Sequence, residues 1–554
     1  MSGERLIYLP LGGAGEIGMN AYVYGYGKPG KERLIVVDLG ITFPDMDTTP
    51  GLDIILPDIA WLEANKSRIE AIFVTHAHED HVGAIGHYWD KLRVPVIARK
   101  FTGKIARGKL DEAGAPESAL RIVEAWPEVT QLGPFSVGFV PISHSIPESA
   151  GLVIDTPDGR IVHSGDFKID ETPIVGEPFD RALWASIAKD GVKVLTCDST
   201  NIFSPNPGRS EASLSGNIEK LFTDAPGMVV ATTFASNVAR LKTLALAAEA
   251  SGRSVCLLGR SMRKMTQAAL ETGLLTGFTE TISPEEANDL PREKVFLLVT
   301  GSQGERRAAS AQLANGSYMG LSLKEGDMFL FSSSTIPGNE RGVIRIMNQF
   351  SEKGVDIVDD PALYHVSGHA NRPDLQEMHQ IIKPQMLIPM HGEHRHLRIH
   401  AKLGEEAGIK SIVATNGMMI DLSGNAPKVA EYIETGRTYI DGQVMIGALD
   451  GVIRDRIRMA LNGHVLVTLI VDEQDEALGD PWCETMGLPE VGRSDGGLVE
   501  ALERDLSKFV NKASKKLLKN EKQLDKELRN IVRRSAQNEI GKKPEVTVVV
   551  SRLG

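Results

Sequence analysis

Short apolar, β-branched runs separated by glycine and polar turns recur along the whole 554-residue chain. They predict buried strands alternating with helices. Leu6-Ile7-Tyr8-Leu9, Ala21-Tyr22-Val23-Tyr24 and Arg33-Leu34-Ile35-Val36-Val37-Asp38 read as three successive strands. Between the first two lies Gly13-x-Gly15-x-x-Gly18, with Asp38 about twenty residues on, the outline of a dinucleotide fingerprint. No helix fits after these glycines, so the segment reads instead as an antiparallel meander. From about 208 to 355 the runs at 228–234, 254–258 and 295–299 are continuously apolar, as buried parallel strands require. This predicts a second α/β domain inserted into the first. Later, 465–471 and 546–550 read as strands, and Leu498, Leu502, Leu506, Phe509 and Val510 recur between them at helical spacing. The expected organisation is a first domain in two parts (1–207 and 356–445), an insert (208–355), a linker (446–460) and a small C-terminal α/β domain (461–554).

Composition narrows the class. With 42% hydrophobic and 24% charged residues the chain is an ordinary soluble globular protein. A net charge of −12 excludes a generally sticky nucleic-acid binder, so any such contact needs a local basic channel. The stretch 508–534 is rich in Lys and Arg, which fits a solvated helix face as well as RNA contact. No apolar run reaches membrane-spanning length and the start carries no cleavable signal, so a cytoplasmic protein without membrane contact is expected. Cys197, Cys256 and Cys483 lie far apart and read as core or surface residues of a reducing compartment.

The densest chemistry is His76-x-His78-x-Asp80-His81, between the strand-like Ile72-Phe73-Val74 and a helix opening at 82–89. Residues two apart on a strand share a face, so His76 and His78 point together. Asp80 and His81 turn the corner and reach a second ion. Imidazole and carboxylate are ligands of catalytic zinc, and two ions about 3.5–4 Å apart clamp the attacking and leaving oxygens of a phosphoryl displacement. Further along, His144 sits in a loop, Asp166 and Asp198 end strands, and His365, His369 and His391 stand at later strand ends. His163 reads as a packed structural histidine, and His394, His396 and His400 as surface residues of a following helix.

The His-x-His-x-Asp-His motif resembles the metallo-β-lactamase superfamily. The motifs at 195–201, 364–370 and 388–395 are similar to its β-CASP nuclease branch, and 301–305 with 335–340 resemble ribonuclease J. The resemblance covers essentially the whole chain. It implies an α/β metallo-β-lactamase αββα sandwich, a β-CASP insert and a C-terminal domain that supports a homodimer or homotetramer. Two divalent ions per subunit are implied, zinc first and manganese as the alternative. His76, His78 and His144 would hold one; Asp80, His81 and His391 the other; Asp166 would bridge. Asp38 would brace the histidine turn. His369, paired with Asp198, and Asp80 would be catalytic. His365, Ser367 and Gly368 would face a phosphate, while Ser236, Ser302 and Gln303 would line the RNA path. Ala239 stands where the family pattern leads one to expect histidine. The implied activity is hydrolysis of single-stranded RNA, 5′→3′ from a 5′-monophosphate end and also internally, in RNA maturation and mRNA decay. A small-molecule hydrolase of the same superfamily is disfavoured by the large insert and the Asp198/His369 pair. A non-catalytic subunit is disfavoured because all seven metal positions are filled.

Overall fold

The computed structural model describes residues 3–494 and 496–553. They form two compact units, one made of the chain up to Thr42 with Leu56–Arg437, the other of residues 43–55 with the chain from Thr438 onward.

Two mixed sheets organise the first unit. One runs Lys428–Tyr432, Met418–Asp421, Arg5–Gly12, Ala21–Gly27, Arg33–Val37, Ile69–Phe73, Val96–Ala98 and Leu120–Ile122 from edge to edge. Its Arg5–Gly12, Ala21–Gly27 and Arg33–Val37 strands are antiparallel neighbours, so the glycine-rich segment is the expected meander turn. The other sheet runs Thr130–Leu132, Phe135–Pro141, Ala150–Thr156, Gly159–His163, Val194–Asp198, Met386–Met390 and Lys410–Ser411. Tyr8 and Phe73 of the first sheet share one buried core with Phe139, Ile154 and Met386 of the second. Burying each such large side chain contributes roughly 1.5–3 kcal/mol. The second sheet's outer face is covered by Trp184, Ile187, Leu375 and Met378 from helices Arg181–Ala188 and Arg372–Ile382. Helices Ile85–Leu92 and Lys100–Glu112 bury Tyr88, Leu92, Phe101 and Ile105 on the first sheet's side. The result is an αββα sandwich. Because both faces are covered, Val194–Asp198 and Met386–Met390 are buried at every position and read as unbroken apolar runs.

The insert carries a five-stranded sheet in the order Ser254–Leu258, Val295–Val299, Val229–Thr232, Met328–Phe331 and Asp356–Val358. All pairings are parallel, so every carboxyl end lies on one edge. Two of its strands match the expected runs residue for residue.

In the second unit, strands Trp482–Met486, His464–Val471 and Glu545–Arg552 form one sheet. Leu498, Leu502, Leu506 and Val510 pack with Val465, Val467, Leu524 and Leu528 in its core. The expected linker at 446–460 is corrected: strand Val444–Gly447 and helix Val452–Asn462 occupy it. Its alternating charges are partnered, Arg456 binding Asp441 at 2.6 Å. Segment 43–55 also joins this unit rather than the first domain, Asp53 N–H donating to the Ile440 carbonyl at 3.0 Å.

Candidate metal centre

Strand Ile69–Phe73 delivers the motif to the end of the first sheet, and Glu79–Val82 forms a single helical turn. His76 and His78 precede the turn, whereas Asp80 and His81 lie on it. His76 Nε2 and His144 Nε2 each stand 3.1 Å from His78 Nδ1. Ligand nitrogens on a tetrahedral zinc at 2.0–2.1 Å are about 3.3 Å apart, so this spacing fits one ion. Burial pulls the His78 pKa down to about 4 and lowers those of His76 and His144. All three imidazoles are therefore neutral, the form that ligates metal.

Beside this triad, Asp80, His81, Asp166 and His391 form a second cluster. His81 Nε2 lies 3.1 Å from Asp166 Oδ2, and His391 Nε2 lies 3.2 Å from Asp80 Oδ2. Burial alone would lower the His81 pKa, but Asp166, Asp80 and Asp38 raise it to about 10. Here carboxylates demand positive charge, which a divalent cation also supplies. Asp166 Oδ2 is additionally 3.9 Å from both His76 Nε2 and His144 Nε2. One carboxylate thus stands between the clusters, as a bridge requires, and its buried Oδ1 lies 3.1 Å from His391 Nδ1.

The surrounding contacts set ring orientation. Asp38 accepts from His81 Nδ1 at 2.7 Å and from the Thr75 N–H at 2.8 Å, leaving His81 Nε2 for the cluster. Asp38 and His391 both occupy left-handed backbone, with φ of 61° and 49°. Such non-glycine strain costs on the order of 1–3 kcal/mol and persists where the fold over-determines it. His144 Nδ1 donates to the Gly368 carbonyl at 2.6 Å. Removing such an orienting partner typically weakens metal affinity about 10–100-fold. Asp38→Ala is expected to fall in that range in a chelator competition, with overall secondary structure retained. Unchanged affinity would show that Thr75 and the turn suffice to hold His81.

His369 Nδ1 donates to Asp198 Oδ2 at 2.7 Å, and Thr200 binds the other oxygen through its hydroxyl at 2.7 Å and its N–H at 2.9 Å. Burial would lower the His369 pKa, but Asp198 raises it above the usual value. The Ser367 hydroxyl accepts from Asn201 and from the His369 N–H, and so shapes the turn that carries His369. His365 lies 3.4 Å from the buried Arg240 guanidinium. Ser236, Ser302 and Gln303 lie in loops at the carboxyl edge of the inserted sheet. Ser302 is buried, and the Gln303 amide is engaged with Ser334, Ile336 and Asn339, bracing a neighbouring loop. His163 is packed, bonded to the Tyr24 hydroxyl. The surface reading of the following helix is corrected at His396 and His400, both buried where helix His394–Glu406 packs on Met386–Met390. Asn20 had no sequence signal. Held by the Tyr22 hydroxyl, it donates to the Asp80 carbonyl and sits 3.0 Å from His81 Nε2.

Residues 14–200 match the family model "Metallo-beta-lactamase superfamily", and 362–414 match "Zn-dependent metallo-hydrolase RNA specificity domain". Residues 226–350 match "Ribonuclease J, beta-CASP domain" and 451–553 match "Ribonuclease J C-terminal domain". Ribonuclease J of Sinorhizobium meliloti is 41% identical, over 99% of this chain and 98% of that protein. The chain belongs to the ribonuclease J family. Ribonuclease J 1 of Streptococcus pyogenes (36% identical, over 91% of this chain and 90% of its own) and ribonuclease J of Thermus thermophilus (34%, 93% and 89%) are also similar. A solved protein of unknown function from Enterococcus faecalis shares the fold, with a TM-score of 0.51 at 19% identity over 75% of this chain and all of that one. As a ribonuclease J this chain is a hydrolytic, metal-dependent nuclease that binds RNA. Among the described residues no helix is long and apolar enough to cross a membrane.

Proposed function

We propose that this ribonuclease J degrades single-stranded RNA 5′→3′ from a 5′-monophosphate end and also cuts internally, serving RNA maturation and mRNA decay in the cytoplasm. It works as a homodimer or homotetramer assembled through the C-terminal domain. The observation that carries the reading is the convergence of two ligand clusters on Asp166, with the His369–Asp198 pair beside them. His76, His78 and His144 would hold one ion and Asp80, His81 and His391 the other, with Asp166 placed to serve both. Zinc is the ion these nitrogen-rich ligands favour, with manganese the alternative. When bound, such ions supply Lewis acidity for phosphoryl oxygens and for activating water.

The chain's own residues supply the rest. Asp198 holds the proton on His369 Nδ1, which leaves Nε2 to face the substrate. The raised pKa keeps a proton available there for the leaving 3′ oxygen. His365, Ser367 and Gly368 hold the segment that meets the scissile phosphate, and the edge bearing Ser236, Ser302 and Gln303 guides the strand. Hydrolysis with a 3′-oxygen leaving group yields a 5′-phosphate on the downstream product, the end that the next cycle recognises.

The test is cleavage of one RNA bearing a 5′-monophosphate, 5′-triphosphate or 5′-hydroxyl, with Zn²⁺, with Mn²⁺ and after chelation. Mononucleotide release from the monophosphate substrate, abolished by chelator, is expected. Internal cuts indifferent to the 5′ end would reject the exonuclease reading. In the same assay His369→Ala is expected to lower kcat about 10²–10⁴-fold, the range for a general acid. Metal content and KM should stay unchanged, and a fall in metal content would instead make His369 a ligand.

A further inference from the structure

Alternation along strand Val194–Asp198 turns Cys197 away from the catalytic Asp198, into the apolar layer under the outer helices. There it meets His379 of helix Arg372–Ile382 and His400 of helix His394–Glu406. We propose that Cys197, His379 and His400 form a third metal site, separate from the two clusters above, for a thiophilic cation, Zn²⁺ or Cu⁺.

The Cys197 sulfur and one nitrogen from each ring lie within 4.8 Å of one another. His379 Nε2 and His400 Nε2 are 3.1 Å apart with the rings stacked nearly parallel at 11°, the same nitrogen spacing as in the His76–His78–His144 triad. None of the three is more than 3% exposed. His400 Nδ1 is fixed by the Ser199 hydroxyl at 2.9 Å, so its Nε2 is the nitrogen turned toward the cluster. His379 Nδ1 is buried with no hydrogen-bond partner among the described residues. Both imidazoles are kept neutral by burial. Neutral imidazole with thiolate is a soft donor set that selects zinc or cuprous ion over magnesium or manganese. On binding, the Cys197 S–H gives its proton to solvent and the sulfur bonds the ion as thiolate.

The placement gives the ion a structural task. Cys197 adjoins Asp198, helix Arg372–Ile382 begins three residues after His369, and helix His394–Glu406 begins three residues after His391. One ion would therefore tie together the three segments that carry the catalytic pair and a ligand of the centre. Buried among apolar side chains, the site would hold no substrate.

Cobalt discriminates between this site and the centre. Every ligand proposed for the centre is nitrogen or oxygen, so a thiolate-to-cobalt charge-transfer band in the near ultraviolet requires a cysteine. The full chain loaded with Co²⁺ is expected to show that band. Cys197→Ser should remove it, and so should His379→Gln, a milder change that serves if the serine variant fails to fold. Native mass measurement after growth with zinc or with copper should count three ions per wild-type chain and two per variant, and tells the two metals apart. No band, together with equal ion counts in wild type and variants, would overturn the site and leave an ordinary core histidine pair. The band does not depend on the ribonuclease reading, since it should persist in a chain inactive toward RNA.

Discussion

Asp166→Asn is expected to lower RNA cleavage by about a thousandfold or more while the protein stays folded. Lewis-acid stabilisation by a catalytic ion is worth several kcal/mol, and each ~1.4 kcal/mol of barrier is tenfold in rate. Asp166 is the position where loss should disturb both clusters together. Its Oδ2 faces His81 at 3.1 Å and His76 and His144 at 3.9 Å, while Oδ1 stands 3.1 Å from His391 Nδ1. Burial would raise the Asp166 pKa, but His391 and His81 hold it well below the usual carboxylate range, so the anion is secure at neutral pH. Asparagine keeps the shape, removes the charge, and turns an N–H₂ toward nitrogens arranged to meet an acceptor or a cation. Single-turnover cleavage and metal content should be read on the same sample. A fall from two ions at the centre to one, alongside the rate loss, is the expected pattern. Activity within tenfold of wild type would show that Asp166 is not the bridge.

Much of this site was legible because its spacing is local. His76, His78, Asp80 and His81 sit within one short connection between strand Ile69–Phe73 and the helical turn Glu79–Val82, so their close spacing alone signals ligands that can meet. Asp166, Asp198, His369 and His391 carry no such local signal. Asp166, Asp198 and His391 are single polar residues at or just past strand ends, whereas His369, expected at one, lies in the loop after helix Pro361–Tyr364, and their convergence was visible only through the order of motifs shared with a family. Contacts that depend on tertiary burial were not legible at all. Nothing around Asn20 marks it as a neighbour of His81, and the charged neighbours Arg395 and Arg398 made the His396–His400 face look solvated. Three of the five strands of the inserted sheet, by contrast, were readable to within a few residues, because a parallel sheet covered on both faces leaves continuous apolar runs. The helix at 452–462 was missed because charged residues paired within the unit look like a solvated connector until their partners are known.

The same blindness hid Arg240, whose replacement by Met is expected to destabilise the fold by about 3–5 kcal/mol, the usual cost of leaving one partner of a buried ion pair alone. Arg240 is fully buried on helix Val238–Ala250. Its Nε and one terminal nitrogen meet both oxygens of the buried Glu211 at 2.5 and 2.9 Å. Its other nitrogen reaches the Ser332 and Tyr364 carbonyls at 2.7 and 3.3 Å. The guanidinium thereby joins the insert to the segment that returns the chain to His365 and His369. Methionine fills much of the volume, but the Glu211 carboxylate is left charged in an apolar setting. The carbonyls are not orphaned, since Ser332 O also accepts from Thr233 and Tyr364 O from the Ser332 hydroxyl. Most of the loss should therefore come from Glu211, and adding Glu211→Met to Arg240→Met is expected to restore much of it. Urea unfolding of wild type, both single variants and the double variant measures that coupling. A double variant no more stable than Arg240→Met would place the loss in the Ser332 and Tyr364 contacts instead. Cleavage by the double variant then reads the second half of the idea. If the guanidinium also sets where the Tyr364–His369 segment lies, kcat should stay low even after stability has returned.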